Sequence, residues 1–117
     1  MKKKILIVDD EPDIVISVSD FLTKHGYQTE VLYTGRSAIS RARNNKYDLL
    51  ILDIAMPYFN GFEVARTLTN QKIVFMTAYD FKKEEAIKFK NCAGFIQKPF
   101  DLKKLLNVVK KALDKQI

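Results

Sequence analysis

A doubly wound α/β sandwich is the fold class this sequence predicts, and three observations predict it. Short apolar runs recur along the chain, such as Ile5-Leu6-Ile7-Val8 and Leu49-Leu50-Ile51-Leu52, each apolar on both faces of an extended strand. Each run is followed by a stretch with helical spacing of its apolar residues. The connections are short, with no low-complexity segment, long linker or internal repeat. Strands buried on both faces and alternating with helices imply a parallel sheet covered on both sides. At 117 residues the natural arrangement is the flavodoxin-like (βα)5 sandwich, five parallel strands in the order 2-1-3-4-5.

The elements follow in order. Ile5 to Val8 is the first strand. Pro12 suits a first helical turn, and Ile14, Val15, Val18, Phe21 and Leu22 recur at helical spacing until Gly26 stops the helix. A weaker strand follows near Gln28 to Leu32. Thr34 then caps a short helix through Ala38, Ile39 and Ala42. Leu49 to Leu52 is the second strong strand, and Phe62 to Leu68 a short helix with Phe62, Ala65 and Leu68 facing inward, joined by Val64. Ile73 to Met76 is a strand, and residues 81–90 are expected as a polar helix. Gly94 to Gln97 is the fifth strand. Asp101 caps a last helix whose Leu102, Leu105, Leu106, Val109 and Leu113 form one apolar stripe.

Composition narrows the function classes. With 47% apolar residues the chain suits one domain with a sizeable core, and 117 residues are too few for two. Cys92 is the single cysteine, which excludes an intrachain disulfide scaffold. The basic Lys2-Lys3-Lys4 is followed by an apolar run that stops at Asp9, too soon for a signal peptide, and no run is long enough to span a membrane. A cytoplasmic domain is expected. The net charge of +6 formally admits a nucleic-acid partner. The excess is scattered lysine, as in Lys82-Lys83, Lys103-Lys104 and Lys110-Lys111, without the aromatic and arginine pattern that stacks on or reads bases. These lysines read as solvated helix faces, and no direct nucleic-acid contact is expected.

Ligands of open parallel sheets bind beyond the carboxyl ends of the strands, near the switch in strand order. Asp9, Asp10 and Glu11 follow the first strand, Asp53 follows the third, Thr77 ends the fourth, and Lys98-Pro99 ends the fifth. Three aspartates, a hydroxyl and a lysine therefore converge on one edge. Crowded carboxylates repel, so without a cation at least one tends to hold a proton. A hard divalent ion relieves this, and Mg²⁺ is typically held by one or two carboxylates with water and phosphate oxygens. Asp53 is then placed to act as a nucleophile towards phosphorus, with Lys98 and the Thr77 hydroxyl neutralising and positioning the phosphoryl oxygens. Singly, each residue has a plainer reading: a helix cap for Asp9 or Asp10, a structural hydroxyl for Thr77, a surface charge for Lys98. Four strand ends with matching chemistry argue against those readings jointly.

In these residues the sequence resembles the receiver domain of two-component response regulators, over essentially the whole chain. The anchors are Val8-Asp9-Asp10-Glu11-Pro12, Leu52-Asp53 with Met56-Pro57 and Gly61-Phe62-Glu63-Val64, Met76-Thr77-Ala78, and Lys98-Pro99-Phe100. The resemblance implies that Asp53 accepts a phosphoryl group from a histidine kinase or phosphotransfer protein. It implies that Asp9, Asp10, Asp53 and the backbone carbonyl of Ala55 bind Mg²⁺, and that Lys98 pairs with the phosphate across a cis peptide to Pro99. It also implies a switch in which the Thr77 hydroxyl moves towards the phosphate and the Phe95 ring turns into the space released. Such a domain is a signalling module acting on an unspecified downstream target, and its only chemistry is its own phosphorylation and dephosphorylation. The receiver is expected to occupy residues 1–117, with no effector domain within the chain.

Some positions depart from common family patterns. Ala55 and Tyr79 stand where fast self-dephosphorylation is often helped by polar groups that orient water, so a long-lived phosphorylated form is expected. Ala93-Gly94 replaces an acidic pair that helps many DNA-binding members to pair, which weighs against that geometry for any phosphorylation-dependent dimer. Other functions fit less well. A flavin carrier of the same fold would need a Ser/Thr-rich phosphate loop after the first strand, where three acids stand instead. An aspartate-nucleophile phosphatase would need Asp-x-Asp, and Ala55 occupies the second position. A pure binding module would not need Asp10, Asp53, Thr77 and Lys98 together.

Overall fold

The computed structural model describes residues 1–79 and 82–116. Strands β1 (Lys4–Val8), β2 (Gln28–Leu32), β3 (Leu49–Asp53), β4 (Ile73–Thr77) and β5 (Cys92–Gln97) form one sheet in the order β2-β1-β3-β4-β5. All four pairings are parallel. Helices α1 (Pro12–Lys24), α2 (Gly35–Asn44), α3 (Gly61–Thr67), α4 (Lys83–Ala86) and α5 (Leu102–Asp114) alternate with the strands. The flavodoxin-like order expected from the pattern of apolar runs is the observed one.

Alternation along each strand divides the core into two layers. Leu6, Val8, Leu50, Leu52, Ile73 and Phe75 point towards α2, α3 and α4. Ile5, Ile7, Leu49, Ile51, Val74 and Met76 point towards α1 and α5. β3 and β4 are buried at every position, which explains why their sequences are continuously apolar rather than alternating. β2 and β5 are the sheet edges and are only partly buried.

Local chemistry sets the helix ends. Pro12 opens α1, whose N-cap position is Glu11 with no side-chain cap, so neither Asp9 nor Asp10 is spent on capping. After α1, Gly26 has φ +94°, a conformation glycine adopts without a Cβ penalty. Thr34 caps α2 by accepting from the Ser37 N–H, and Asp101 caps α5 by accepting from the Lys104 N–H at 2.7 Å. At α3, Asn60 accepts from the Glu63 N–H while Glu63 accepts from the Asn60 N–H, a reciprocal capping box.

The fourth helix is the main departure from expectation. Helix was expected over 81–90, and α4 runs only Lys83–Ala86. Ala86 is its one buried residue. The segment has no apolar stripe of helical period to bind a longer helix to the sheet. Residue 81, the first of that expected range, lies outside the described residues.

Candidate functional site

The carboxyl ends of β1, β3, β4 and β5 bring together the residues singled out from the sequence. Asp9 lies just past β1, Asp53 is the last residue of β3, Thr77 the last of β4, and Lys98 follows β5. Asp9, Asp53 and Thr77 are buried, while Asp10 is exposed. Asp9, Asp10 and Asp53 each offer a carboxylate oxygen, and these oxygens lie within 4.8 Å of one another.

Lys98 is the cation of this acidic centre. Its Nζ is 2.7 Å from Asp9 Oδ2, 3.1 Å from Glu11 Oε1 and 3.7 Å from Asp53 Oδ2. The peptide bond from Lys98 to Pro99 is cis, and the Lys98 N–H donates to the Thr77 carbonyl at 2.8 Å, which ties the lysine to the end of β4. Burial alone would lower the Lys98 pKa, but Asp9, Asp53 and Glu11 outweigh it and raise it. Glu11 is the residue that sequence reasoning did not assign to the site. Its place in the Asp9-Asp10-Glu11 run was the available signal.

The carboxylates are held against their ordinary titration. Burial pushes Asp53 up to about 7, with the charge of Asp9 adding to the effect and Lys98 opposing it. Asp9 is also raised, first by burial, against the pull of Lys98 and the Glu11 N–H. That N–H donates to Asp9 Oδ1 at 3.0 Å. Asp9 Oδ2 is buried, and the Lys98 ammonium at 2.7 Å is its partner. Three carboxylates that converge beside one ammonium are the donor set a hard divalent cation such as Mg²⁺ prefers. The residues present fit that ion.

The surrounding backbone is close-fitting. The Ala55 N–H donates to Asp53 Oδ1 at 3.4 Å, and Ala55 itself is exposed. The loop after β3 returns at Gly61, whose N–H donates to the Ile54 carbonyl at 2.9 Å. A Cβ on Gly61 would lie 2.7 Å from the Asp53 carbonyl oxygen, so only glycine permits this approach. Tyr58, at the tip of the loop, has φ +67° and is almost fully exposed. The Thr77 hydroxyl accepts from the Tyr79 N–H at 3.3 Å. Phe95 pairs in register with Phe75 and is half-buried against the layer that contains α3 and α4.

Comparison with known proteins agrees with this geometry. Residues 5–110 match the family model described as the response regulator receiver domain. The chain is 35% identical over 105 residues to the alkaline phosphatase synthesis transcriptional regulatory protein PhoP of Bacillus subtilis, covering 86% of this chain and 44% of PhoP. It is 30% identical over 118 residues to the response regulator ArlR of Staphylococcus saprophyticus, covering 97% of this chain and 53% of ArlR. The chain thus spans about half the length of the curated relatives it matches. Among solved structures, the response regulator TrrA of Thermotoga maritima, in complex with Mg²⁺ and BeF, superposes with a TM-score of 0.86 at 33% identity, covering 94% of this chain and 98% of TrrA. The chemotaxis response regulator CheY4 of Vibrio cholerae gives 0.86 at 29% identity, covering 96% and 99%.

Proposed function

Given that the chain belongs to the response regulator receiver domain family, we propose that Asp53 is its phosphoacceptor, taking a phosphoryl group from a histidine kinase or a phosphotransfer protein. The observation that carries this reading is the setting of Asp53. It is buried at the end of a fully buried strand, yet faces a lysine ammonium and two further aspartates. A carboxylate oxygen of Asp53 attacks phosphorus, and the bond from phosphorus to the donor imidazole nitrogen breaks. That nitrogen keeps the electron pair. Asp53 must be ionised to do this, so its neighbourhood has to offset a pKa of about 7.

Asp9, Asp10, Asp53 and the Ala55 carbonyl are the residues that would hold Mg²⁺. When bound, the ion supplies positive charge that offsets carboxylate repulsion and the growing charge on the phosphoryl oxygens. Lys98, tethered to β4 through its own N–H, is then positioned to exchange its carboxylate partners for a phosphoryl oxygen. Thr77 is the hydroxyl that answers the new charge, and Phe95, partly buried at an edge strand, is the ring that responds. Self-phosphorylation and its reversal are the only chemistry in this reading. Ala55 and Tyr79 place no small polar group to orient water, so the phosphorylated state is expected to be long-lived.

We place the receiver across residues 1–117 and the protein in the cytoplasm. Among the described residues no helix is long and apolar enough to cross a membrane. Output is a changed affinity for a downstream target, with phosphorylation-dependent self-pairing as one form of it, read by sedimentation with and without Mg²⁺ and fluoroberyllate. Direct nucleic-acid contact is not part of the role proposed for this domain. Intact mass after treatment with acetyl phosphate and Mg²⁺ tests the core claim. Wild type should gain one phosphoryl group and Asp53→Ala none; an unchanged wild-type mass would overturn the reading. The decay of the modified form measures its lifetime, and loss within seconds would refute persistence.

A further inference from the structure

The chain uses its two strong cations differently. Its basic residues are sixteen lysines, spread along the sequence, and four arginines, Arg36, Arg41, Arg43 and Arg66. All four arginines lie on α2 and α3. Arg41 is paired with Glu30 at 2.8 Å, and Arg66 lies over the Phe89 ring. Arg36 and Arg43 have no carboxylate partner among the described residues.

These two arginines line the same cleft, about 510 Å³ in volume, between α2 and α3. Arg36, Ser40 and Arg43 stand at i, i+4 and i+7, which places them on one face of α2. The facing wall is Phe59 with Thr67 of α3, and Asn44 also lines the cleft. Among the described residues no acidic side chain lines the cleft. The wall is held close to the helix: a Cβ on Gly35 would lie 2.6 Å from the Phe59 carbonyl oxygen, and the Arg36 guanidinium sits 5.9 Å from the Phe59 ring centroid.

Two arginines that border one cleft, with no carboxylate paired to either among the described residues, offer an anion two partners. A guanidinium is a planar fork suited to phosphate oxygens, which an ammonium is not. The cleft falls within the usual range for small ligands, about 300–1,000 Å³, and has an aromatic wall beside its cationic one. We infer that the α2–α3 cleft binds a polyphosphate group through Arg36 and Arg43, as carried by a nucleoside polyphosphate whose base rests on the Phe59 side. The site is separate from Asp53 and does not depend on its role. Arg36 also borders the neighbouring cleft that contains Asp10, so Arg43 is the cleaner reporter.

The test is titration of the isotope-labelled chain, followed by amide NMR signals, in metal-free buffer at about 150 mM salt so that diffuse attraction is screened. Inorganic pyrophosphate, ATP and adenosine are the three probes. Saturable shifts centred on Ser40, Arg43, Phe59 and Thr67 are expected with pyrophosphate and ATP, with a dissociation constant of about 1 mM or tighter. Tighter binding of ATP supports base contact, and equal binding supports the polyphosphate part alone. Arg43→Glu, at an exposed position, should weaken both by about tenfold or more, and Arg43→Lys by less. The inference is overturned by no saturable shift, by shifts as large in Arg43→Glu as in wild type, or by shifts confined to the lysines of α5. Binding of adenosine alone would also overturn it, because the cleft would then be apolar in function. Acetyl phosphate labelling of Asp53 should be unchanged in both variants, which separates this result from the fate of the acceptor assignment.

Discussion

Asp53, the proposed acceptor, illustrates how a buried carboxylate can weaken the fold that positions it. Its folded pKa of about 7 stands above the value of 3.8 expected when unfolded. Between those values the folded state keeps a proton that the unfolded chain releases, so stability falls as pH rises from about 4 to 7 and stays reduced above that. Asp53→Asn removes the effect. In metal-free buffer the variant should be more stable than wild type at pH 8, by about 2–4 kcal/mol, with the gap closing towards pH 4; thermal melts across pH check this. Lys98 has the opposite role. Lys98→Met leaves Asp9 and Asp53 without their cation and should cost about 3 kcal/mol near pH 8, less in acid where the carboxylates are protonated. Denaturant melts at the two pH values measure the difference. The sequence placed Asp9, Asp53, Thr77 and Lys98 at strand ends because strand ends follow from apolar runs. It could not show that Glu11 rather than solvent would share the lysine, since that depends on a side chain crossing from one loop to another.

At the scale of elements, the loop between β3 and α3 links capping to chemistry. Asn60→Ala breaks the capping box and should cost about 1 kcal/mol, seen as a lower midpoint in urea with an unchanged slope. Gly61→Ala should do more, because its methyl would meet the Asp53 carbonyl. A variant that still folds is expected to lose Mg²⁺-dependent fluoroberyllate binding, followed by calorimetry, whereas Asn60→Ala should largely keep it. The caps at Thr34 and Asp101 were legible because they depend on three or four consecutive residues. The tertiary caps were not. Asn91 is buried and donates to the carbonyls of Ala65 and Leu68 at the end of α3, and Lys72 donates to Ala112 and Leu113 at the end of α5. Neither pairing leaves a mark in local sequence. The shortness of α4 is the converse case: its polar composition permitted a helix without supplying the apolar stripe that would have extended it.

For the molecule as a whole, the two core layers were legible because strands apolar on both faces must be covered twice. Charge was legible only in total. The net +6 says nothing of how Asp9, Asp10 and Asp53 converge into an acidic centre. A ligand that binds only the folded chain stabilises all of it. Mg²⁺ at ten times its dissociation constant should therefore add about 1.4 kcal/mol and raise the melting temperature by roughly 5 °C. A thermal melt with and without Mg²⁺ checks this, and Asp10→Asn, which removes one carboxylate, should reduce the gain.

The position of Lys98 after an edge strand has one more consequence. Asp53 ends β3, which has hydrogen-bonded strands on both sides, while Lys98 follows β5, which has one such neighbour and is only partly buried. The two poles of the site thus stand on an interior strand and just past an edge strand. Amide hydrogen exchange should reflect this, with slow exchange along β3 and faster exchange along β5. A pull between the poles displaces the strand that yields more readily, so the direction in which a local charge change travels is built into the order of the strands.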